Sequence, residues 1–331
     1  MEDFKYAPKI LINEIIDDNY NSIFESRPDV EYIASVPKSI ENPNDSEYFI
    51  EIGLVDSSSD YIPVICNDGS CILKNKNLKI DKKHHTQHKY VNHFSFQFHN
   101  IKERPLKYGV NIANQYLGYG TLGAIVEVSF GKRKSKSKFI LSNHHVLCGA
   151  KFVPDRFISQ PHRGFSIDGY QPRDIIAQVK YGHIGDEVDV AFAKLFDIDH
   201  SHEMYISGEK PPVGIEQDKK IKVGDKIYKI GATTGKTTGV IRSKNAYVKT
   251  RPYKTSAKKV IFKKQLLFDD ISKNGDSGSL VLKSVNNDIK AIGLLMGGDN
   301  KNYSIANQMR FIFNNKNPYK NLPDMNFVKF I

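Results

Sequence analysis

Cysteine is scarce. The 331-residue chain holds three, Cys66, Cys71 and Cys148. An odd and sparse count argues against a disulfide framework and agrees with a reducing compartment. Cys66 and Cys71 are too few for a zinc site unless histidines join them, and Cys148 reads as a small buried apolar residue. Long apolar runs are missing as well: no segment approaches the ~18 residues of a membrane helix. The start, Met1-Glu2-Asp3-Phe4-Lys5, is acidic and lacks the basic-then-apolar layout of a secretory leader. These absences predict a cytoplasmic protein without a membrane partner. No metal or organic cofactor is implied.

Acids are absent from one long stretch. Between Lys226 and Phe268 there are 12 Lys/Arg and no Asp or Glu, whereas residues 1–60 hold 14 acids against 4 bases. The net charge of +11 is therefore a balance between an acidic N-terminal region and a basic remainder. A basic surface invites nucleic acid, an acidic protein or an anionic membrane. It equally fits an acidic segment docking on a basic body within one chain, and no nucleic-acid motif accompanies the charge. Nucleic acid is thus the weaker expectation, and the acidic region is a candidate site for a regulatory partner. His84, His85, His88 and His93 lie in a polar, basic segment without accompanying Cys or Glu, which favours a solvated linker over a metal site. The glycines of Gly231-Ala232-Thr233-Thr234-Gly235-Lys236-Thr237-Thr238-Gly239 lack the spacing of a phosphate-binding P-loop.

What is present centres on Asn274-Gly275-Asp276-Ser277-Gly278, followed by the apolar run Ser279-Leu280-Val281-Leu282. A serine attacking a carbonyl needs a base to take its proton and donors to hold the oxyanion. Glycines flanking Ser277 let the chain turn sharply, expose Oγ and converge the N–H groups of Gly275 and Ser277. Upstream, the apolar strand Phe139-Ile140-Leu141-Ser142 ends in Asn143-His144-His145-Val146. Between the two, Asp189 enters the apolar strand Val190-Ala191-Phe192-Ala193. Histidine, aspartate and serine stand in one of the known triad orders, 44 and 88 residues apart.

Taken jointly, these motifs resemble the trypsin-like (chymotrypsin-fold) serine peptidases, and most of all a bacterial branch with an Asn-His-Val histidine motif; the missing leader and disulfides suggest an intracellular member. The resemblance spans roughly residues 115–315. It implies a mainly β fold: two six-stranded antiparallel β-barrels with a C-terminal helix, here preceded by a small α+β N-terminal region. It also implies a serine endopeptidase that cuts protein substrates through an acyl-enzyme. The family pattern selects His145 over His144 as the base and Ser277 as the nucleophile, with Gly275 and Ser277 N–H as the oxyanion hole. Asp189 is preferred to Asp186 as the orienting acid because a buried strand follows it directly. Met296, Gly297 and Gly298 would pair with substrate and leave room for its side chain. Ile271 would stand at the pocket floor, with Asp269 and Asp270 one or two residues away, so an apolar and a basic preference both remain open. In many secreted members the acid before the serine pairs with a newly cut N-terminus. No such junction is visible before Gly120, which predicts a local donor for Asp276. The Gly-Ala-Thr-Thr-Gly hairpin is similar to one that opens the second barrel in the bacterial branch.

The expected organisation is a small α+β segment over 1–75 and a polar linker over 76–108. A peptidase domain follows over 109–331, with barrel 1 at about 115–205, barrel 2 at about 218–300 and the closing helix at about 305–315. Helical spacing marks 8–26; strands are expected at 29–36, 48–55 and 61–66. The alternative is a nucleic-acid or protein-partner binding module on a protease-like scaffold.

Overall fold

The computed structural model describes residues 8–26, 30–45, 47–54, 79–82, 101–114, 118–130, 136–149, 151–161, 174–250, 260–299, 302–314, 316, 318–319 and 321–331. The strand expected at 61–66, the histidines 84–93, Cys66 and Cys71 lie outside them. Among the described residues no helix is long and apolar enough to cross a membrane.

The basic half of the chain closes on itself. Lys226–Gly231 turns at Gly235 (φ +64°) and pairs with the first half of Gly235–Thr250. From there the order runs through Val260–Phe268, Ser304–Gln308, Asp288–Gly298 and Leu280–Val285 back to Lys226–Gly231, a ring of six strands. Alternation along each strand sends one face inward, and Ile227, Ile241, Phe268, Val281, Ile292 and Leu295 fill the barrel. The preceding half forms an open sheet, a half-barrel. Its order is Met325–Phe330, Ala124–Phe130, Ser137–Ser142, Val188–Leu195, Ile175–Gly185, Phe157–Ser159, Asn111–Asn114 and Tyr119–Thr121. The mainly β architecture is consistent with a double barrel of chymotrypsin type.

Three features differ from the sequence reading. Ile305, Met309 and Ile312 have helical spacing, but Ser304–Gln308 is a strand and only Met309–Ile312 is helical. That segment has ladder partners on both sides, Val260–Phe268 and Asp288–Gly298, and all five of its residues are buried. A doubly paired, buried backbone outweighs side-chain spacing there. The last strand then returns to the first sheet, pairing Val328 with Val128. The first sheet's core also begins earlier than 115, since Leu106 and Tyr108 are wholly buried in it. Lys79–Lys82, within the expected linker, pairs in parallel with Tyr48–Leu54.

Among the described residues, the N-terminal segment has the expected helix and the first two expected strands. Helix Lys9–Ser26 lays Ile12, Ile16, Ile23 and Phe24 over strands Val30–Pro37 and Tyr48–Leu54. Strand Val30–Pro37 also pairs with the far half of Gly235–Thr250, with Tyr32 opposite Val248 and Ala34 opposite Ala246. Its other face packs Tyr32, Ala34 and Val36 against Phe262, Met296 and Tyr303. Cover on both faces explains the near-continuous apolar run of that strand. Much of the basic run finds acids at home: Arg242 meets Glu51 at 2.5 Å, Lys244 meets Asp218 at 3.0 Å and Lys236 meets Glu209 at 2.7 Å. Of these three, the Arg242–Glu51 pair joins the acidic N-terminal region to the basic run.

Ile33 is wholly buried between helix and sheet. Ile33→Ala is expected to cost about 2–5 kcal/mol and to shift the main urea transition; an unmoved main transition would mean the N-terminal segment unfolds independently of the barrel.

Candidate active site

Strand register brings His145 and Asp189, the candidate base and acid, together. Ala191 stands opposite Ser142 in an antiparallel pair, so Asp189 falls level with the residues just past the end of Ser137–Ser142. There Asn143 opens one helical turn, His144–Leu147. The His145 Nδ1–Asp189 Oδ2 distance is 2.5 Å, and the His145 backbone N–H donates to Asp189 Oδ1 at 3.1 Å. Asp189 is wholly buried. Burial pushes its carboxyl up, but the charge and hydrogen bonds of His145 outweigh that and leave it below the usual carboxylate range. The Asp189 backbone is clamped too: its N–H donates to Asn307 Oδ1 at 2.9 Å and its carbonyl accepts from Asn143 Nδ2 at 2.8 Å. Asn307 Nδ2 in turn donates to Gln265 Oε1 at 2.7 Å.

The two other acid–base candidates lie elsewhere. Asp186 sits in a turn with φ +51° and is paired with Lys263 at 3.5 Å. His144 is buried beside Phe152, and burial pushes its imidazole down to about 4. Cys148 is buried, its thiol pushed up to about 12 by that burial. It is an inert core residue rather than a reactive one.

The serine loop is held from behind. Thr121 Oγ1 donates to the Gly275 carbonyl at 2.8 Å, and Thr233 Oγ1 donates to the Asn274 carbonyl at 2.8 Å. The Thr121 N–H donates to the Ser277 carbonyl at 2.8 Å, tying the loop to the first sheet. Gly278 has φ +93°, and a Cβ there would fall 2.1 Å from Ser142 Oγ and 2.4 Å from the Thr121 carbonyl. Only glycine permits so close an approach of the two halves. Among the described residues no acceptor is paired with the N–H of Gly275 or Ser277. Ser277 Oγ donates to the Met296 carbonyl at 3.0 Å.

Asp276 points away from the surface into the barrel. The local donor expected for it is Lys229, whose Nζ lies 3.1 Å from Asp276 Oδ2 with both side chains wholly buried. Burial pushes the Lys229 ammonium down and the carboxylate opposes that. The N–H groups of Thr233 and Thr234 each donate to Asp276 Oδ1 at 3.0 Å; the Lys273 N–H and Thr234 Oγ1 donate to Oδ2 at 3.0 and 2.6 Å. The Gly-Ala-Thr-Thr-Gly hairpin is thus the cradle of Asp276.

Sequence reasoning did not find Lys229, Thr121 or Asn307. Lys229 carried a signal: it follows Ile227 on the same inward face of its strand, a register where a lysine needs a buried acid. Thr121 and Asn307 carried none, since their roles arise from contacts more than 100 residues away.

A cavity of about 250 Å³ holds both His145 and Ser277. Met296, Gly297 and Gly298 line it as well. Ile271 does not: its side chain joins the barrel core, and Ser272 lines the cavity in its place. The backbone turns between them, with the Ile271 N–H donating to Ser304 Oγ at 3.1 Å and Ser272 Oγ 2.9 Å from the same oxygen. Asp269 is turned toward the Val240 N–H at 2.9 Å.

Removing the buried cation alone would strand the Asp276 charge. Lys229→Met is expected to lower the unfolding free energy by about 3–5 kcal/mol, read from urea denaturation; an unchanged midpoint would show that the pair contributes nothing.

The sequence matches no protein-family profile and no curated protein. Solved structures similar to the chain are bacterial serine proteases of chymotrypsin fold. Thermobifida fusca Protease A matches at 16% identity and a TM-score of 0.44, over 62% of this chain and 91% of its own. Nocardiopsis protease matches at 14% and 0.45, over 62% and 94%. Cellulomonas bogoriensis chymotrypsin matches at 16% and 0.44, over 62% and 93%.

Proposed function

We propose that the chain is a serine endopeptidase acting through Ser277, His145 and Asp189. The observation that carries this is the 2.5 Å His145–Asp189 pair, whose His145 lines one cavity with Ser277. A buried carboxylate on Nδ1 fixes the tautomer, leaves Nε2 as the basic nitrogen and stabilises the imidazolium. Ser277 Oγ exchanges its bond to the Met296 carbonyl for one to His145 Nε2 by rotation about χ1, since catalytic hydrogen bonds often form only with substrate in place.

Oγ then attacks the peptide carbonyl carbon while its proton passes to Nε2. The carbonyl oxygen becomes an oxyanion held by the N–H groups of Gly275 and Ser277. The imidazolium returns its proton to the leaving amine as the C–N bond breaks, giving an acyl-enzyme. Water, deprotonated by the same nitrogen, releases the acid and restores Ser277. Lys229 holds Asp276, so the loop that presents the two N–H groups has its shape without a newly cut N-terminus. No cofactor takes part in any step. The substrate is a protein or peptide, and the sparse cysteines support a cytoplasmic site of action.

A fluorophosphonate probe tests the nucleophile. Intact-mass measurement should show a single adduct on the wild type and none on Ser277→Ala or His145→Ala; labelling that survives His145→Ala would overturn the assignment. Asp189→Asn, which keeps the size but offers the wrong hydrogen-bond pattern to Nδ1, is expected to lower kcat by about 10⁴ in steady-state peptide hydrolysis. A loss under tenfold would remove Asp189 from the triad.

A further inference from the structure

Three successive peptide groups lead into Ser277, and the carbonyl of each is engaged from behind. The Asp276 carbonyl accepts from the Ser279 N–H at 3.0 Å and from Ser279 Oγ at 2.5 Å. The Gly275 carbonyl accepts from Thr121 Oγ1 at 2.8 Å. The Asn274 carbonyl accepts from Thr233 Oγ1 at 2.8 Å. All three peptides are trans, and in a trans peptide the C=O and N–H lie in one plane and point in opposite directions. Fixing a carbonyl therefore aims the N–H of the next residue the other way. The Asp276 carbonyl shares its peptide with the Ser277 N–H, and the Asn274 carbonyl shares its peptide with the Gly275 N–H. These two N–H groups have no acceptor among the described residues, and they are the pair to which the peptidase reading gives the oxyanion.

The two peptides are held differently. Ser279 closes the Asp276 carbonyl into a turn of its own chain segment, through backbone and side chain together. The Asn274–Gly275 peptide has no local anchor, and Gly275 sits at φ +99°. Turning a peptide plane over changes ψ of the residue before it and φ of the residue after it. Glycine accepts φ of either sign at little cost, so this plane turns over easily unless its carbonyl is held. Thr233 reaches that carbonyl from the Gly-Ala-Thr-Thr-Gly hairpin, 41 residues away in sequence. The hairpin is itself fixed beside the loop: the Thr233 N–H donates to Asp276 Oδ1 at 3.0 Å, and the Thr234 N–H and Oγ1 donate to the same carboxylate at 3.0 and 2.6 Å. A threonine hydroxyl has one proton to give, and here it goes to Asn274.

We propose that Thr233 is a positioning residue for the oxyanion hole: its hydroxyl keeps the Asn274–Gly275 peptide turned so that the Gly275 N–H faces the substrate carbonyl. The assignment rests on the peptidase reading and gives the hairpin a part in the reaction beyond cradling Asp276. The Thr233–Asn274 bond lies at the surface, where a single hydrogen bond adds little net stability. Its effect is on orientation, and variants at Thr233 are expected to fold.

The test uses Thr233→Val, which removes the hydroxyl and keeps the shape, and Thr233→Ser, which keeps the hydroxyl. In steady-state peptide hydrolysis Thr233→Val is expected to lower kcat by about 10–100-fold with KM changed by less than about twofold, against about 10²–10³ in kcat for losing a donor outright. Thr233→Ser should recover most of the rate. A peptide trifluoromethyl ketone supplies the second readout. Ser277 Oγ bonds to its carbonyl carbon, the Oγ proton passes to His145, and the C=O π pair moves to the oxygen that enters the hole. The inhibition constant of the ketone should rise in Thr233→Val in proportion to the loss of kcat/KM, while the uncleaved peptide binds Ser277→Ala equally well with and without Thr233→Val. An unchanged kcat in Thr233→Val would overturn the proposal. So would a loss that Thr233→Ser shares, or one in which peptide binding to the Ser277→Ala background falls as far as ketone binding. The wild type separates this assignment from the reading beneath it. A wild type that neither cleaves peptide nor takes up the ketone would sink the peptidase reading and Thr233 with it, whereas full activity in Thr233→Val would remove Thr233 alone.

Discussion

A carboxylate taken wholly out of water must be met by a cation and by hydrogen-bond donors. Asp189 and Asp276 are two such carboxylates, and the arrangement of the site follows from how each is met. Asp189 holds the His145 ring and its backbone N–H, and its own backbone is gripped by Asn143 and Asn307. Asp276 draws in Lys229, the Thr233–Thr234 turn and the Lys273 N–H, and this shapes the loop that carries Ser277. One carboxylate sets the His145 ring and the other sets the loop that carries Ser277. The seam between the sheets brings the two together through Thr121, which bonds to both Gly275 and Ser277.

Much of this was legible in the sequence because the motifs are local. His145 follows an apolar strand, Asp189 stands near the start of one and Ser277 sits among glycines, and these features survive in the fold as a helical turn just past a strand, a strand start and a tight loop. The mainly β architecture was legible for the same reason, since period-two apolar runs bounded by glycine and polar clusters can be counted residue by residue. What was not legible depends on distant partners. Ser304–Gln308 has helical apolar spacing, yet two flanking strands make it a strand. Ile271 is near Ser277 in sequence, but its side chain turns into the barrel and leaves Ser272 at the cleft. Glu31 lines the cleft as well, and this could not be foreseen, because a bulge and a pairing between residues more than 200 positions apart put it there.

The N-terminal segment changes how the basic stretch is understood. Read alone, residues 226–268 suggest a surface for polyanions. In the fold, Arg242, Lys244 and Lys236 meet Glu51, Asp218 and Glu209, and strand Val30–Pro37 extends the barrel's sheet along the far half of Gly235–Thr250. One of these pairs, Arg242–Glu51, joins the acidic start of the chain to its basic middle across a shared sheet. Strand Val30–Pro37 also adds Glu31 to the lining of the cleft.

The central claim is that Ser277 forms a covalent bond with substrate carbonyl carbon, using His145 oriented by Asp189. The most direct measurement is to mix the protein with a peptide ester, quench with acid at short times and map the acylated fragment by mass spectrometry. The account predicts an acyl group on Ser277 that accumulates and then decays as product is released. Turnover of the ester with the acyl group on another residue, or with no covalent species at any time, would contradict it.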